Sequence, residues 1–263
     1  METIKKGLNV STAIISSSEL QAQSNRARTR LLRKIIDTNA DTDILLLPAG
    51  YYESRKMTKR RIRLLEKDVT KLLRQANSSA IVCIGADYRN GDDQLAYAIS
   101  TEGIIAAGRK FHPTKEERGV ITQATGFMEK ESGMERTFQV KGLTCYMAVC
   151  YDGFGIRHMD IKNPGVDIFL DLVHHFFKKG QGSGDVDFAR KGFAGASMQW
   201  QIPVFGAVVF FGREVPARWP AGVMWSGAES VKSFKYSDNE ITWIGRLETV
   251  WGKEKAVIYR YVV

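Results

Sequence analysis

The chain has 263 residues, 44% of them hydrophobic and 25% charged, an ordinary balance for a soluble globular protein long enough for one large α/β domain or two small ones. Three cysteines (Cys83, Cys145, Cys150) exclude a fully paired disulfide framework; with no membrane-length apolar run and no apolar leader at the start, the expectation is a reduced, cytoplasmic protein. The formal charge of +9 gathers in residues 26–34 and 55–74, which reads as solvated helix faces or, more sharply, as a surface for nucleic acid or another polyanion.

Residues 8–15 are rich in β-branched side chains and predict a first strand. The serines at 16–18 form a polar stop able to cap a helix that carries Ala27, Leu31, Ile35 and Ile36 inward. Residues 43–48 are continuously apolar and close on Pro48, the pattern of a strand buried on both faces. Next, Ile62, Leu65, Val69, Leu72 and Leu73 recur three and four apart among basic residues, predicting an amphipathic helix with a basic outer face. A strand over 79–85 and a hairpin over 94–109, turning at Thr101-Glu102-Gly103, come after it. Residues 114–134 read as an irregular loop, and 137–149 as a second hairpin turning near Lys141-Gly142. Residues 166–170 predict a buried strand, 185–200 a helix with an N-cap candidate at its start, and 203–211 a strand. The remainder alternates around glycine turns and predicts further strands. With no linker or charge-block boundary, residues 1–263 read as a single α/β domain in which two sheets lie between helices. The Gly-rich residues 180–184 lack the Lys-Ser/Thr of a phosphate loop. His112, His158, His174 and His175 lack the spacing of a zinc helix, so neither cofactor nor metal is expected.

Cys150 ends the apolar run Met147-Ala148-Val149 and precedes Tyr151-Asp152. A thiol where a buried strand stops is held rigidly and faces whatever cleft the strand end opens, as a nucleophile requires. An inert core cysteine is the plainer reading of that position taken alone.

Three strand ends stand out in order: Pro48-Ala49-Gly50-Tyr51-Tyr52, Gly108-Arg109-Lys110-Phe111-His112, and Val149-Cys150-Tyr151-Asp152. Together they resemble the nitrilase, or carbon–nitrogen hydrolase, superfamily, as do Phe188-Ala189-Arg190 and Trp200-Gln201-Ile202-Pro203-Val204 downstream. The resemblance covers most of the chain and thins after about Arg218. It implies an α-β-β-α sandwich, with two mixed sheets between helical layers, that hydrolyses non-peptide C–N bonds of small amides or nitriles, or transfers acyl groups from them. By the same resemblance Cys150 would form a thioester, Lys110 and the Tyr151 N–H would hold the oxyanion, and the protein would be a homo-oligomer.

The family's general-base glutamate corresponds to Ala49 here. That leaves three readings: a disabling Glu→Ala change with impaired turnover, a non-catalytic binding or assembly protein on the same fold, or a base supplied by another residue. Glu53 lies four residues on, in the loop beyond the strand end. The family's second glutamate would correspond to Glu131 or, less aptly, Glu129. Tyr51, Tyr151 and Phe154 are the expected substrate contacts, with Tyr52 and Trp219 as further liners. The stretch Gly153-Phe154-Gly155-Ile156-Arg157 departs from the family's usual continuation, which leaves the substrate open.

Overall fold

The computed structural model describes residues 7–17, 24–54, 58–88, 92–177, 184–227 and 230–263; Ser18 and residues 180–183 of the Gly-rich stretch lie outside them. The first layer contains β1 (Asn9–Ser17), α1 (Asn25–Thr38), β2 (Ile44–Leu46), β3 (Tyr52–Ser54), α2 (Lys59–Gln75), β4 (Ile81–Tyr88), β5 (Gln94–Ser100) and β6 (Gly103–Arg109). The hydroxyl of Ser24 accepts from the Ala27 N–H and that of Thr58 from the Arg61 N–H, which satisfies orphan donors at each helix start. The cap of α1 is therefore Ser24; Ser16 and Ser17 belong to β1.

α1 buries Leu31, Leu32, Ile35 and Ile36, and α2 buries Leu65, Val69, Leu72 and Leu73, in one core with Leu45, Leu47, Val82 and Ile84. The alternate strand residues Ile44, Leu46 and Cys83 join a second core with Cys145, Met147, Ile168 and Leu170. Burial on both faces is why residues 43–48 carry no polar alternation.

The second layer holds β7 (Thr137–Val140), β8 (Leu143–Val149), β9 (Ile168–Phe176) and β10 (Val204–Phe211). Outside it lie α3 (Asp152–His158), α4 (Asp185–Phe188), a π-helical turn (Ala189–Ala194) and α5 (Gly195–Trp200). The single helix expected over 185–200 is thus interrupted, and the wide turn lays the Phe193 ring over Gly206, where a Cβ would stand 2.0 Å from Cζ. After it come β11 (Gly222–Val223), β12 (Gly245–Trp251) and β13 (Glu254–Val262).

The strand order is β6-β5-β4-β2-β1-β10-β9-β8-β7. β1 is the joint: it pairs in parallel with β2 and with β10, and antiparallel with β13 from Asn9 to Ser17. The architecture is the expected α-β-β-α sandwich, with its two layers hydrogen-bonded into one ladder through β1. β9 runs to Phe176, well past the predicted end at residue 170. Its pairing with β10 shifts register between Ala207↔Leu172 and Val209↔His175, so Val173 and His174 oppose Val208 alone. Such a bulge bends a strand and re-aims its side chains.

Candidate active site

β1, β2, β4, β8, β9 and β10 are linked by parallel pairings, so their carboxyl ends open on one edge of the molecule. Cys150 sits at that edge, directly after β8. Its N–H donates to the Leu172 carbonyl at 2.8 Å, and its φ of +56° lies in the left-handed region that non-glycine residues rarely enter. Strain of this kind is held only where the surroundings over-determine it.

The Asp152 carboxylate is part of that restraint. One oxygen accepts from the N–H groups of Phe111 (2.8 Å) and His112 (2.9 Å), the other from the Val149 N–H (3.0 Å) and Arg136 Nη1 (3.2 Å). Arg136, fully buried, also donates to the Tyr146 hydroxyl at 2.9 Å and to the Arg109 carbonyl. One ion pair thus fastens the segment after β6 to the turn after β8, and Lys110 is held beside Cys150.

Lys110 is fully buried, and its Nζ donates to Gln94 Oε1 (3.0 Å) and to both oxygens of Glu117 (2.8 and 2.6 Å). Burial disfavours its charge, but Cys150 and Glu117 outweigh burial and raise its pKa above the ordinary lysine value. For Glu117, burial is outweighed by the Lys110 ammonium and the Thr114 N–H, which bring its carboxyl down to about 2. Glu117 and Cys150 line a cleft of about 780 Å³, with Thr114 and the rings of Tyr151, Phe176 and Phe188.

His174 approaches the thiol from the bulge in β9. Nε2 lies 2.8 Å from Asp87 Oδ2 on β4, and the ring lies close enough to Cys150 for each group to shift the other's titration. Burial opposes charging this ring, yet Asp87 and Cys150 push its pKa up to about 10. Burial likewise pushes the Cys150 thiol up, but Lys110 and His174 prevail and bring it below the usual thiol value. Both shifts run in the direction of a thiolate beside an imidazolium. The turn after β2 leans on this pair: the Ala49 N–H donates to the Val173 carbonyl at 3.2 Å. A Cβ on Gly50, whose φ is +62°, would lie 3.0 Å from Asp87 Oδ2. Gly85 allows the approach, since a Cβ there would stand 2.2 Å from the Ala49 Cα. From the other side Arg28 Nη1 donates to the carbonyls of Gly50 (2.6 Å) and Tyr51 (2.7 Å).

Of the residues singled out in the sequence, Cys150, Lys110 and Tyr151 come together, with Lys110 Nζ 5.8 Å from the Tyr151 ring centroid, and Ala49 shares a core cluster with Cys150. Phe154 stacks behind Tyr151 at 4.6 Å between ring centroids. The others fall elsewhere. Glu131 pairs with Arg109 Nε at 2.8 Å, and Glu129 accepts from Thr125. Glu53 faces Arg28 at 3.7 Å, Tyr51 and Tyr52 pack in the α1–α2 core, and Trp219 lies among Phe176, Phe193 and Phe210. The carboxylate on Lys110 is Glu117, in the loop between the hairpins. Glu117, His174 and Asp87 were not anticipated; the adjacent histidines at 174 and 175 were the visible signal. Among the described residues no group of three or more His, Cys, Asp or Glu is placed to hold a metal ion, and no helix is long and apolar enough to cross a membrane.

No protein-family model and no curated protein matches the chain. Solved structures do. An amidase from Nesterenkonia sp. superposes with a TM-score of 0.62 at 10% identity, over 99% of this chain and 92% of that one. Saccharomyces cerevisiae Nit3, a member of branch 10 of the nitrilase superfamily, gives 0.56 at 11% identity over 100% and 93%. A carbon–nitrogen hydrolase from Helicobacter pylori G27 gives 0.54 at 13% identity over 95% and 88%. Identity this low speaks for architecture, and on it the chain has the fold of the nitrilase superfamily.

Proposed function

We propose that the protein is a cysteine-dependent carbon–nitrogen hydrolase acting on small amides or nitriles through a thioester on Cys150. The observation that carries this reading is the Lys110 ammonium, fully buried, clamped by Glu117 and Gln94, and electrostatically coupled to a thiol at a strained strand end. Attack by the thiolate on a carbonyl or nitrile carbon moves negative charge onto oxygen or nitrogen. A pre-placed ammonium, with the Tyr151 N–H, meets that charge without reorganising. The amides and nitriles named here follow from the likeness to the amidase and to the carbon–nitrogen hydrolase.

The test is alkylation of Cys150 by iodoacetamide together with hydrolysis of p-nitrophenyl acetate and a panel of small aliphatic amides. Cys150→Ala should abolish both labelling and turnover, and Lys110→Met should lower kcat by about a hundredfold to a thousandfold with a smaller change in KM. Turnover that survives Cys150→Ala would sink the enzyme reading. The second reading is a binding protein on the same fold. It is favoured by a cleft of about 590 Å³ between α2 and the β5–β6 turn, where Arg63, Lys67, Lys71 and Arg74 outnumber Glu66 and Glu102. It requires salt-dependent retention on a polyanion that is indifferent to Cys150→Ala and weakened by neutralising Arg60, Arg61 and Arg63.

A further inference from the structure

The geometry points to His174, oriented by Asp87, as the general acid and base of this site, in the place the nitrilase family gives to a glutamate. The inference rests on the reading of Cys150 as the nucleophile. Ala49 offers no proton-carrying group, and the turn that bears it packs directly on the Asp87–His174 pair. The bulge in β9 brings His174 to the sulfur. Nε2 is engaged by Asp87 at 2.8 Å, so the inferred role at the thiol falls to Nδ1. Nucleophile, base and orienting carboxylate therefore stand in a Cys–His–Asp relay, a constellation recognised by geometry on unrelated folds. Asp87 touches no reacting atom and is a positioning residue.

The steps balance without any group foreign to the site. In acylation the thiolate adds to the amide carbon, and the imidazolium gives its proton to the departing nitrogen as the C–N bond breaks. The products are an amine, a thioester and neutral His174. In deacylation that neutral imidazole takes a proton from water while the hydroxide oxygen bonds to the acyl carbon. The C–S bond then breaks, which returns thiolate and imidazolium and frees the carboxylic acid. Acylation removes the thiolate charge that helped keep the proton on His174, so the same ring turns from acid to base at the moment the reaction needs it.

The charged and titratable groups around the imidazole are Asp87 from β4, Cys150 after β8, and Lys110 after β6 with Glu117 behind it. Asp171 and His175 flank it on β9. Of these only the ring itself exchanges protons in the cycle.

The experiment compares wild type with His174→Gln, Asp87→Asn, Asp87→Glu and Cys150→Ala, using p-nitrophenyl acetate and iodoacetamide. Wild type should turn the ester over continuously and label at about pH 6, where a free thiol is protonated. His174→Gln should slow labelling at about pH 6 by tenfold or more, with the rate recovering toward the ordinary thiol range near about 8.5. With the ester it should release about one nitrophenolate per chain and stall as an acetyl-Cys150 species in the intact mass, steady turnover falling by about a hundredfold or more. Asp87→Asn should move the acid limb of the pH–rate profile, and Asp87→Glu should restore part of it. If His174→Gln does not fold, Asp87→Asn keeps the ring and reads the same limb. The idea is overturned on its own if His174→Gln, or in its stead Asp87→Asn, keeps the wild-type rate and profile while Cys150→Ala is dead. Full turnover in Cys150→Ala, or none above it in wild type, removes this inference and the reading beneath it together.

Discussion

Glu117 decides what Lys110 can do. An ammonium with no exposure to water survives in its charged form only if something nearby repays the lost hydration, and here a carboxylate 2.6 Å away does so. Glu117→Gln keeps the shape but removes the charge and turns one of the two accepting oxygens into an amide donor among donors. The expected result is a fall in kcat with little change in KM, since Lys110 acts on charge that exists only in the transition state. Stability should respond in a definite direction. The folded carboxyl lies at about 2 against an ordinary 4.5, so its contribution is fully present above 4.5 and is lost as pH falls through about 2. Thermal melts should therefore show wild type above Glu117→Gln at neutral pH, the gap closing across that window; a gap that stays constant would contradict the assignment. Lys110 and Cys150 were readable because each follows a strand whose hydrophobic run ends abruptly. Glu117 was not, because nothing in the sequence of an irregular loop says which carboxylate folds back. Glu131 belongs to the same loop and spends its charge on Arg109 instead.

At the level of elements, three strands meet through one buried ion pair. Arg136 precedes β7, Asp152 opens α3, and their contacts reach the end of β6 and the last residue of β8. Removing the guanidinium leaves Asp152 buried without its counter-charge. Arg136→Ala should cost about 3–5 kcal/mol in urea unfolding, and iodoacetamide labelling of Cys150 should lose selectivity because Lys110 is no longer fixed beside it. The hairpins around this pair were plain in the sequence. Lys141 and Gly142 adopt φ of +51° and +82°, the left-handed pair that a two-residue hairpin turn demands, and glycine at the second position advertises it. β9 was legible only in part. Asp171 and the histidines at 174 and 175 break its apolar run, and alternation cannot register a bulge that sets two residues against one. The strand was therefore cut short at the residues that bring His174 to the thiol. The helix over 185–200 was found, but the π-helical turn was hidden, because the packing of Phe193 on Gly206 that goes with it is a long-range contact that local periodicity does not carry.

Across the whole molecule the α-β-β-α plan follows from two patterns: amphipathic helices with one apolar face, and strands apolar on both. What those patterns do not carry is how the layers are joined. β1 pairs residue for residue with β13, Asn9 opposite Val262 and Ser17 opposite Glu254, while its other partners are β2 and β10. Of the described strands, the first in chain order thus pairs along its whole length with the last. Until residues 254–262 emerge, the joint between the layers lacks a full-length partner, and its exposed edge is open to pairing with other chains. Contacts so distant in sequence also make for slow folding. A ribosome-stalled chain ending before Glu254 should be cleaved readily by a protease within residues 9–17, and become resistant once β13 is released. Resistance already present in the shorter chain would show that the layers close without it. The biosynthesis of this protein, on that view, has a vulnerable interval whose length is set by the stretch of chain between the two members of one strand pair.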